Sequence, residues 1–253
     1  MKNKEYWADR ALYVMKTIYN NQEKINKKLI ELYEKQLEEL SKDIAVIYQK
    51  LDLTRTETYD LNRLLKVEEE ISKRIKELGK QEEKLDAKIL KEAYKEVNNI
   101  LSKSFKELYG ISFNEINKEA IEKAILYPWS GLNFSKRIWK NKSKLALALE
   151  ETIVRGITRG ESYYDMSSRL SKLMNKSLKQ SMTLIRTETA NIVNTASIDR
   201  YKEYGIKKVQ WITAADERTC KDCGPMDMET FDVDKCPSIL HPNCRCTIIP
   251  VID

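Results

Sequence analysis

Apolar positions recur at mostly three- and four-residue steps through the first hundred residues. Ile25, Leu29, Leu32, Leu37, Leu40, Ile44, Ile47 and Leu51 form one series, and Leu61, Leu64, Leu65, Ile71, Ile75, Leu78, Leu85, Ile89, Val97 and Ile100 form another. Such spacing places each series on one face of a helix. Lys and Glu crowd the opposite faces. The polar, β-branched stretch Leu53-Thr-Arg-Thr-Glu-Thr58 separates the two series. The pattern predicts two long amphipathic helices over 1–110, folded as an antiparallel hairpin arm. Each narrow stripe must be buried, against the other helix or against another protein.

Beyond Gly110 the helical period continues in shorter pieces. Ser112-Phe-Asn-Glu115 reads as a capping box for a helix over about 114–126, stopped by Pro128. Asn133-Phe-Ser135 opens another, with Leu145, Leu147, Leu149, Ile153 and Ile157 on its stripe. Gly156 weakens that helix and Gly160 ends it. Ser162 caps a helix through Met166, Leu170, Leu173 and Met174, and a further helix covers about 178–204 up to Gly205. The period then drops to two. Val209–Thr213, Thr230–Val233 and Thr247–Val251 are three short strand candidates.

Composition supports this outline. Among 253 residues there are only 7 glycines and 5 prolines, which favours long helices over a many-turned β fold. No run of about 18 apolar residues exists, so no transmembrane helix is expected. The N-terminus, MKNKEYWADRAL, carries charges where a signal peptide needs an apolar stretch, so the expected location is the cytoplasm of the producing cell. Charge is uneven. Residues 136–186 hold twelve Lys/Arg against Glu150, Glu151, Glu161 and Asp165, a local +8 in a chain of +6. A polyanionic partner for the middle of the chain follows. The densest run holds Lys136, Arg137, Lys140, Lys142 and Lys144 around Trp139. That suits phosphate contacts without sequence choice, whereas the plain alternative is a solvated face.

All five cysteines fall between 220 and 246, where disulfides are not expected in a cytoplasmic chain. Cys220-x-x-Cys223 is followed by His241-x-x-Cys244-x-Cys246. This is paired-knuckle spacing, in which two tight turns each deliver ligands to one tetrahedral zinc. Five donors compete for four places: Cys220, Cys223, His241 and Cys244 are favoured, with Cys246 as the substitute for either of the last two. Cys236, before Pro237, is the poorest candidate. His241 is the sole histidine of the chain. A structural Zn2+ would staple a small sheet that has little core of its own.

Enzymatic constellations are wanting. A deaminase needs His-x-Glu ahead of its Cys-x-x-Cys, and a single metal-bound histidine leaves none for a Ser-His-Asp triad. There is no Walker-type glycine loop. Arg186, Glu188 and Asn191 fall on one helix and read as a buried polar network tying it to the C-terminal sheet. Asp216 reads as a turn cap. The fold class is therefore α+β: a long N-terminal helical hairpin, a helical middle, and a small C-terminal β-sheet over 206–253 stapled by a zinc knuckle.

Four segments together resemble one known family. They are Pro128-Trp-Ser-Gly131 with Phe134-Ser-Lys-Arg-Ile-Trp139; Ile185-Arg-Thr-Glu188 with Asn191 and Asn194; Trp211-Ile-Thr-Ala-Ala-Asp216 running into Thr219-Cys220-x-x-Cys223; and His241-Pro-Asn-Cys-Arg-Cys246. In order and spacing these resemble the phage head morphogenesis family, the Mu F-type minor head proteins, across about 112–250. The resemblance implies a domain of that type over 111–253. It implies a non-enzymatic minor capsid component of a tailed bacteriophage, associated with the portal during procapsid assembly and in contact with scaffold or major capsid protein. Such a protein is made in the host cytoplasm and travels in the virion near the portal, binding or accompanying the packaged DNA. The family has also been compared with ADP-ribosyltransferase folds. The Ser-Thr-Ser strand and paired Glu-x-Glu of those enzymes are not found here, and such an enzyme or a zinc nuclease is the alternative reading.

Overall fold

A computed structural model describes residues 2–49, 61–114, 117–213 and 219–252. The described residues form five helices, α1 (Lys2–Gln49), α2 (Leu61–Tyr109), α3 (Lys118–Leu126), α4 (Phe134–Arg159) and α5 (Tyr163–Tyr204). Three strands follow, β1 (Lys208–Ile212), β2 (Thr230–Asp232) and β3 (Thr247–Val251). Mostly helix with a small antiparallel sheet near the C-terminus is the arrangement the periodicity indicated. The Leu53–Thr58 break lies outside the described residues.

Two boundaries differ from the sequence reading. The expected pair of helices over 162–174 and 178–204 is one continuous helix, α5. The intervening Asn175-Lys176-Ser177 contains neither Gly nor Pro, so nothing there forces a break. Its start is the expected one: the Ser162 Oγ accepts from the Asp165 backbone N–H at 3.1 Å. The α3 cap is Asn117 rather than Ser112, its Oδ1 accepting from the Glu119 N–H at 2.9 Å. Glu115 of the proposed capping box lies outside the described residues.

The chain divides into two compact units, each assembled from separate stretches: Met1–Ile25, Asp86–Phe134 and Thr183–Asp253 in the first; Asn26–Leu85 and Ser135–Met182 in the second.

The second unit is a helical bundle. Tyr33, Leu40 and Ile44 of α1, Val67, Ile71, Ile75 and Leu78 of α2, Leu145, Leu149, Ile153 and Ile157 of α4, and Met166, Leu170 and Met174 of α5 form one buried cluster. All four helices contribute through three- or four-residue spacing, so each stripe finds its partner within the unit. Gly156 sits inside α4 because Met166 of α5 packs against its Cα; any Cβ there would collide with the Met166 side chain. The expected weakening of α4 at this glycine is instead a close approach of two helices.

The first unit combines an aromatic core with the sheet. Phe105 stacks on Tyr204 at 4.2 Å between ring centroids and lies 4.8 Å from Trp7. The sheet order is β2-β1-β3, all antiparallel, with Val209 opposite Phe231 on one side and Pro250 on the other. Pro250 is tolerated because β3 is an edge strand. Gly205, at φ 86, ends α5. Its N–H bonds the Lys202 carbonyl, and the Ile206 N–H bonds that of Tyr201, both at 2.9 Å. This left-handed cap turns the chain directly into β1. The Tyr201 hydroxyl then donates to the Ile248 carbonyl at 3.3 Å, fixing α5 to β3.

Candidate metal centre and the polar side chains that hold it

The two ligand-bearing segments are tight turns. In the first, the Gly224 N–H bonds the Cys220 carbonyl at 2.9 Å, and the Cys223 N–H points at the Cys220 sulfur at 3.4 Å. In the second, the Cys244 N–H bonds the His241 carbonyl at 3.2 Å, with Asn243 left-handed at φ 59. Asparagine tolerates that conformation better than most residues.

These turns bring the donor atoms together. The His241 Nε2 lies 3.1 Å from the Cys220 sulfur and 3.2 Å from that of Cys223, and the Cys223 and Cys244 sulfurs are 3.8 Å apart. Cys220, Cys223 and His241 form one group with all ligand atoms within 4.8 Å, and Cys223, Cys244 and Cys246 form a second. Ligands about 2.0–2.3 Å from a tetrahedral zinc stand roughly 3.3–3.8 Å from each other. The observed separations of 3.1, 3.2 and 3.8 Å are close to that cage, so the cluster can hold a metal ion. The imidazole is oriented for the role: its Nδ1 lies 2.8 Å from the Pro242 carbonyl, to which it donates. That leaves the Nε2 lone pair facing the thiols.

Proton affinities within the cluster are pulled apart. The Cys244 thiol is lowered to about 5, chiefly by the hydrogen bond from Cys246, whose own pKa is pushed up in turn. Burial raises Cys223 to about 12, while the Cys223 N–H lowers Cys220. The His241 pKa is raised by its bond to the Pro242 carbonyl. Crowded thiols cannot all ionise together, and a cation relieves that conflict. Cys236 is buried apart, its sulfur 3.6 Å from the Pro237 carbonyl, and desolvation raises it to about 11.

Helix α5 grips the second turn with short polar side chains. The Asn194 amide donates to the Cys246 carbonyl at 3.1 Å and to the Ser238 carbonyl, and its Oδ1 accepts from Thr247 Oγ1 at 3.1 Å. Asn191 Oδ1 accepts from Ser238 Oγ at 2.5 Å, and Thr187 Oγ1 accepts from the Asn243 N–H at 3.1 Å. Thr187, Asn191 and Asn194 sit at four- and three-residue steps, hence on one helix face. Glu188 is also buried, but it faces Trp129, whose indole N–H donates to it at 2.9 Å. Arg186 is exposed and has no partner among the described residues. It stands outside the network to which the sequence reading assigned it. Asp216 lies outside the described residues. Asn194 and Thr187 were not singled out from the sequence as site residues; their spacing with Asn191 was the available signal.

The basic run of α4 is not uniform. Lys136, Lys140 and Lys144 are exposed and Arg137 is half-buried. Lys142 must be removed from the phosphate-contacting set. Its side chain is 1% exposed, with Nζ 2.6 Å from the carboxylate of Glu82, itself 0% exposed. The Lys142 ammonium also donates to the Tyr33 hydroxyl and lies 3.4 Å from Ser181 Oγ. The hydroxyls of Tyr33 and Ser181 donate to Glu82 at 3.0 and 2.7 Å, and Ser177 lies 3.1 Å from Tyr33. Helical phase explains this burial: Lys142 is three residues before Leu145 and four after Ile138, both buried.

Comparison with known proteins places these features in context. Residues 148–249 match the family described as Phage Mu protein F like protein. This span includes the α5 polar face and every candidate ligand. Minor head protein GP7 of Bacillus phage SPP1 is 26% identical over 90% of this chain and 82% of its own length. NAD(+)–arginine ADP-ribosyltransferase EFV of Enterococcus faecalis is 25% identical over 92% of this chain, but the match spans only 52% of that protein. An uncharacterized protein of Haemophilus influenzae is 27% identical over 42% of the chain and 25% of its own. The chain thus spans about half the length of the enterococcal relative and a quarter of the Haemophilus one. No solved structure matches it.

Proposed function

We propose, from the match of residues 148–249 to the Phage Mu protein F-like family, that the chain is a non-enzymatic minor head protein of a tailed bacteriophage. In this reading it joins the portal during procapsid assembly, contacts scaffold or major capsid protein, and ends in the virion with the DNA. One observation carries the reading: the likeness to the SPP1 minor head protein runs through 90% of this chain and 82% of that protein. The cluster of Cys220, Cys223, His241 and Cys244, with Cys246 beside them, then serves as a structural Zn2+ site. Its donor set supports this, because all its protein ligands are N or S and the only histidine is among them. Zinc would supply no reaction there; it would hold the two turns against each other.

The DNA part of the proposal rests on the basic middle of the chain, including Lys136, Arg137, Lys140 and Lys144 of α4. The name of the enterococcal relative favours the alternative, arginine ADP-ribosylation. Nearly half of that protein has no counterpart here, so its named activity is not transferred to this chain.

The decisive experiment is a pull-down of the tagged chain from infected cells, with the portal protein as readout, alongside deletion of its gene. Portal co-purification and poorly infectious heads are expected. Normal heads with full infectivity, and no portal captured, would sink the assembly role. Labelled NAD offered to the zinc-loaded chain should leave no label on arginine-rich acceptors.

A further inference from the structure

The exposed face of α5 in the helical bundle is basic and polar over a long stretch. Ser168, Lys172, Asn175, Lys176, Lys179 and Gln180 are all exposed. At 100° per residue they share one side of α5, opposite the buried Met166, Leu170 and Met174. No acid occurs anywhere between Asp165 and Glu188. Lys172, Lys176 and Lys179 have no ion-pair partner among the described residues. Some lysines of α1 and α2 in the same unit stand beside acids instead: Lys42 by Glu38 at 2.5 Å, Lys73 by Glu70 at 3.4 Å, and Lys35 by Glu39 at 4.0 Å.

We propose that this face, Lys172, Lys176 and Lys179 with the amides and hydroxyl between them, is a binding surface for the sugar-phosphate backbone of duplex DNA. The inference rests on the DNA part of the function proposed above and assigns it to a surface that the α4 run does not include. Composition decides among polyanions. Backbone contacts to DNA come from Lys together with Ser, Asn and Gln side chains, and those are the residues present. A protein-binding surface would carry a central aromatic or aliphatic anchor, and a membrane-binding helix would carry apolar residues beside its cations. Between Ser168 and Gln180 this face holds neither; the exposed Tyr164 lies a turn before it. The three lysines span about 10.5 Å of helix, a length over which duplex DNA offers roughly six phosphates. Nothing on the face reads a base edge, so binding is indifferent to sequence.

The test uses the full zinc-loaded chain and duplex DNA of unrelated sequences, with affinity measured as salt is raised. Lys172, Lys176 and Lys179 are changed together to Gln. The expected result is a log–log salt slope shallower by about 2.7, so that the affinity lost between about 50 and 200 mM salt shrinks roughly forty-fold. The corresponding Lys→Arg triple variant should bind as the parent does. Changing Lys27, Lys28 and Lys35 of α1 to Gln removes the same charge and should leave the slope unchanged. A Gln variant of the α5 face that binds like the parent overturns this inference and leaves DNA binding elsewhere on the chain standing. A parent chain that binds no DNA at low salt overturns both. Binding to polyglutamate that DNA does not displace would assign the face to an acidic protein and reject the nucleic acid.

Discussion

The bundle of the second unit and the sheet end of the first are stabilised by opposite means. In the bundle, four amphipathic helices bury Leu, Ile, Val and Met against each other, and the polar group of Lys142, Glu82, Tyr33, Ser177 and Ser181 is a guest in an apolar interior. At the sheet end three short strands bury little beyond Val209, Trp211, Ile248 and Ile249. There the loops between strands bring clustered thiols and one imidazole together, and the amide of Asn194 bonds their carbonyls. Helices satisfy their own backbone and need only a stripe to pack. Loops joining short strands leave carbonyls and N–H groups that must be met one at a time.

The largest effect should come from removing the metal. Chelation, or Cys220→Ser with Cys223→Ser, should abolish about one bound zinc per chain and with it the order of the 206–253 region. Zinc binding to small modules supplies on the order of 10 kcal/mol that a metal-free chain lacks. Hydrogen exchange should then show β1 and β3 unprotected while the bundle amides stay protected. Metal-free protein with a fully protected sheet would reject the staple.

Next in size is the buried ion pair. Lys142→Met leaves the Glu82 carboxylate without its cation and should cost about 3–5 kcal/mol in urea unfolding. Adding Glu82→Leu should restore most of that loss, because an apolar pair replaces a desolvated one. If Lys142→Met instead lowers DNA affinity without touching stability, the assignment of this lysine to the interior is wrong.

The smallest of the three concerns the clamp. Asn194→Ala strips the Ser238 and Cys246 carbonyls of a donor and should cost about 1–3 kcal/mol. Zinc should still bind, with a faster off-rate to a competing chelator. An unchanged off-rate would mean that the turns stand without help from α5.

Much of this was legible in the chain. The stripe Leu145, Leu149, Ile153 and Ile157 and the alternation at Val209–Thr213 announced a helix and a strand at the observed places. The Cys/His spacing announced two turns able to meet. Lys142 was misread because a run of cations looks uniform along a sequence, although its helical phase matches its buried neighbours. Gly156 was read as a breaker because the close approach of Met166 is a contact between helices, which no local pattern encodes. The reading of Arg186, Glu188 and Asn191 as one network mixed positions that point in different directions from the helix axis.

The sequence by itself determined most of the elements and the chemistry available to them: helices set by periodicity and caps, three strands set by alternation, and a Cys/His donor set able to hold a metal ion. Tertiary structure alone decided the pairings. It put Lys142 beside Glu82, which lies 60 positions away, and Asn194 beside the carbonyl of Cys246, 52 positions away. The reason is physical. Periodicity is a property of neighbours in the chain, whereas burial of a charge or satisfaction of a carbonyl depends on which distant helix or turn arrives within about 3 Å.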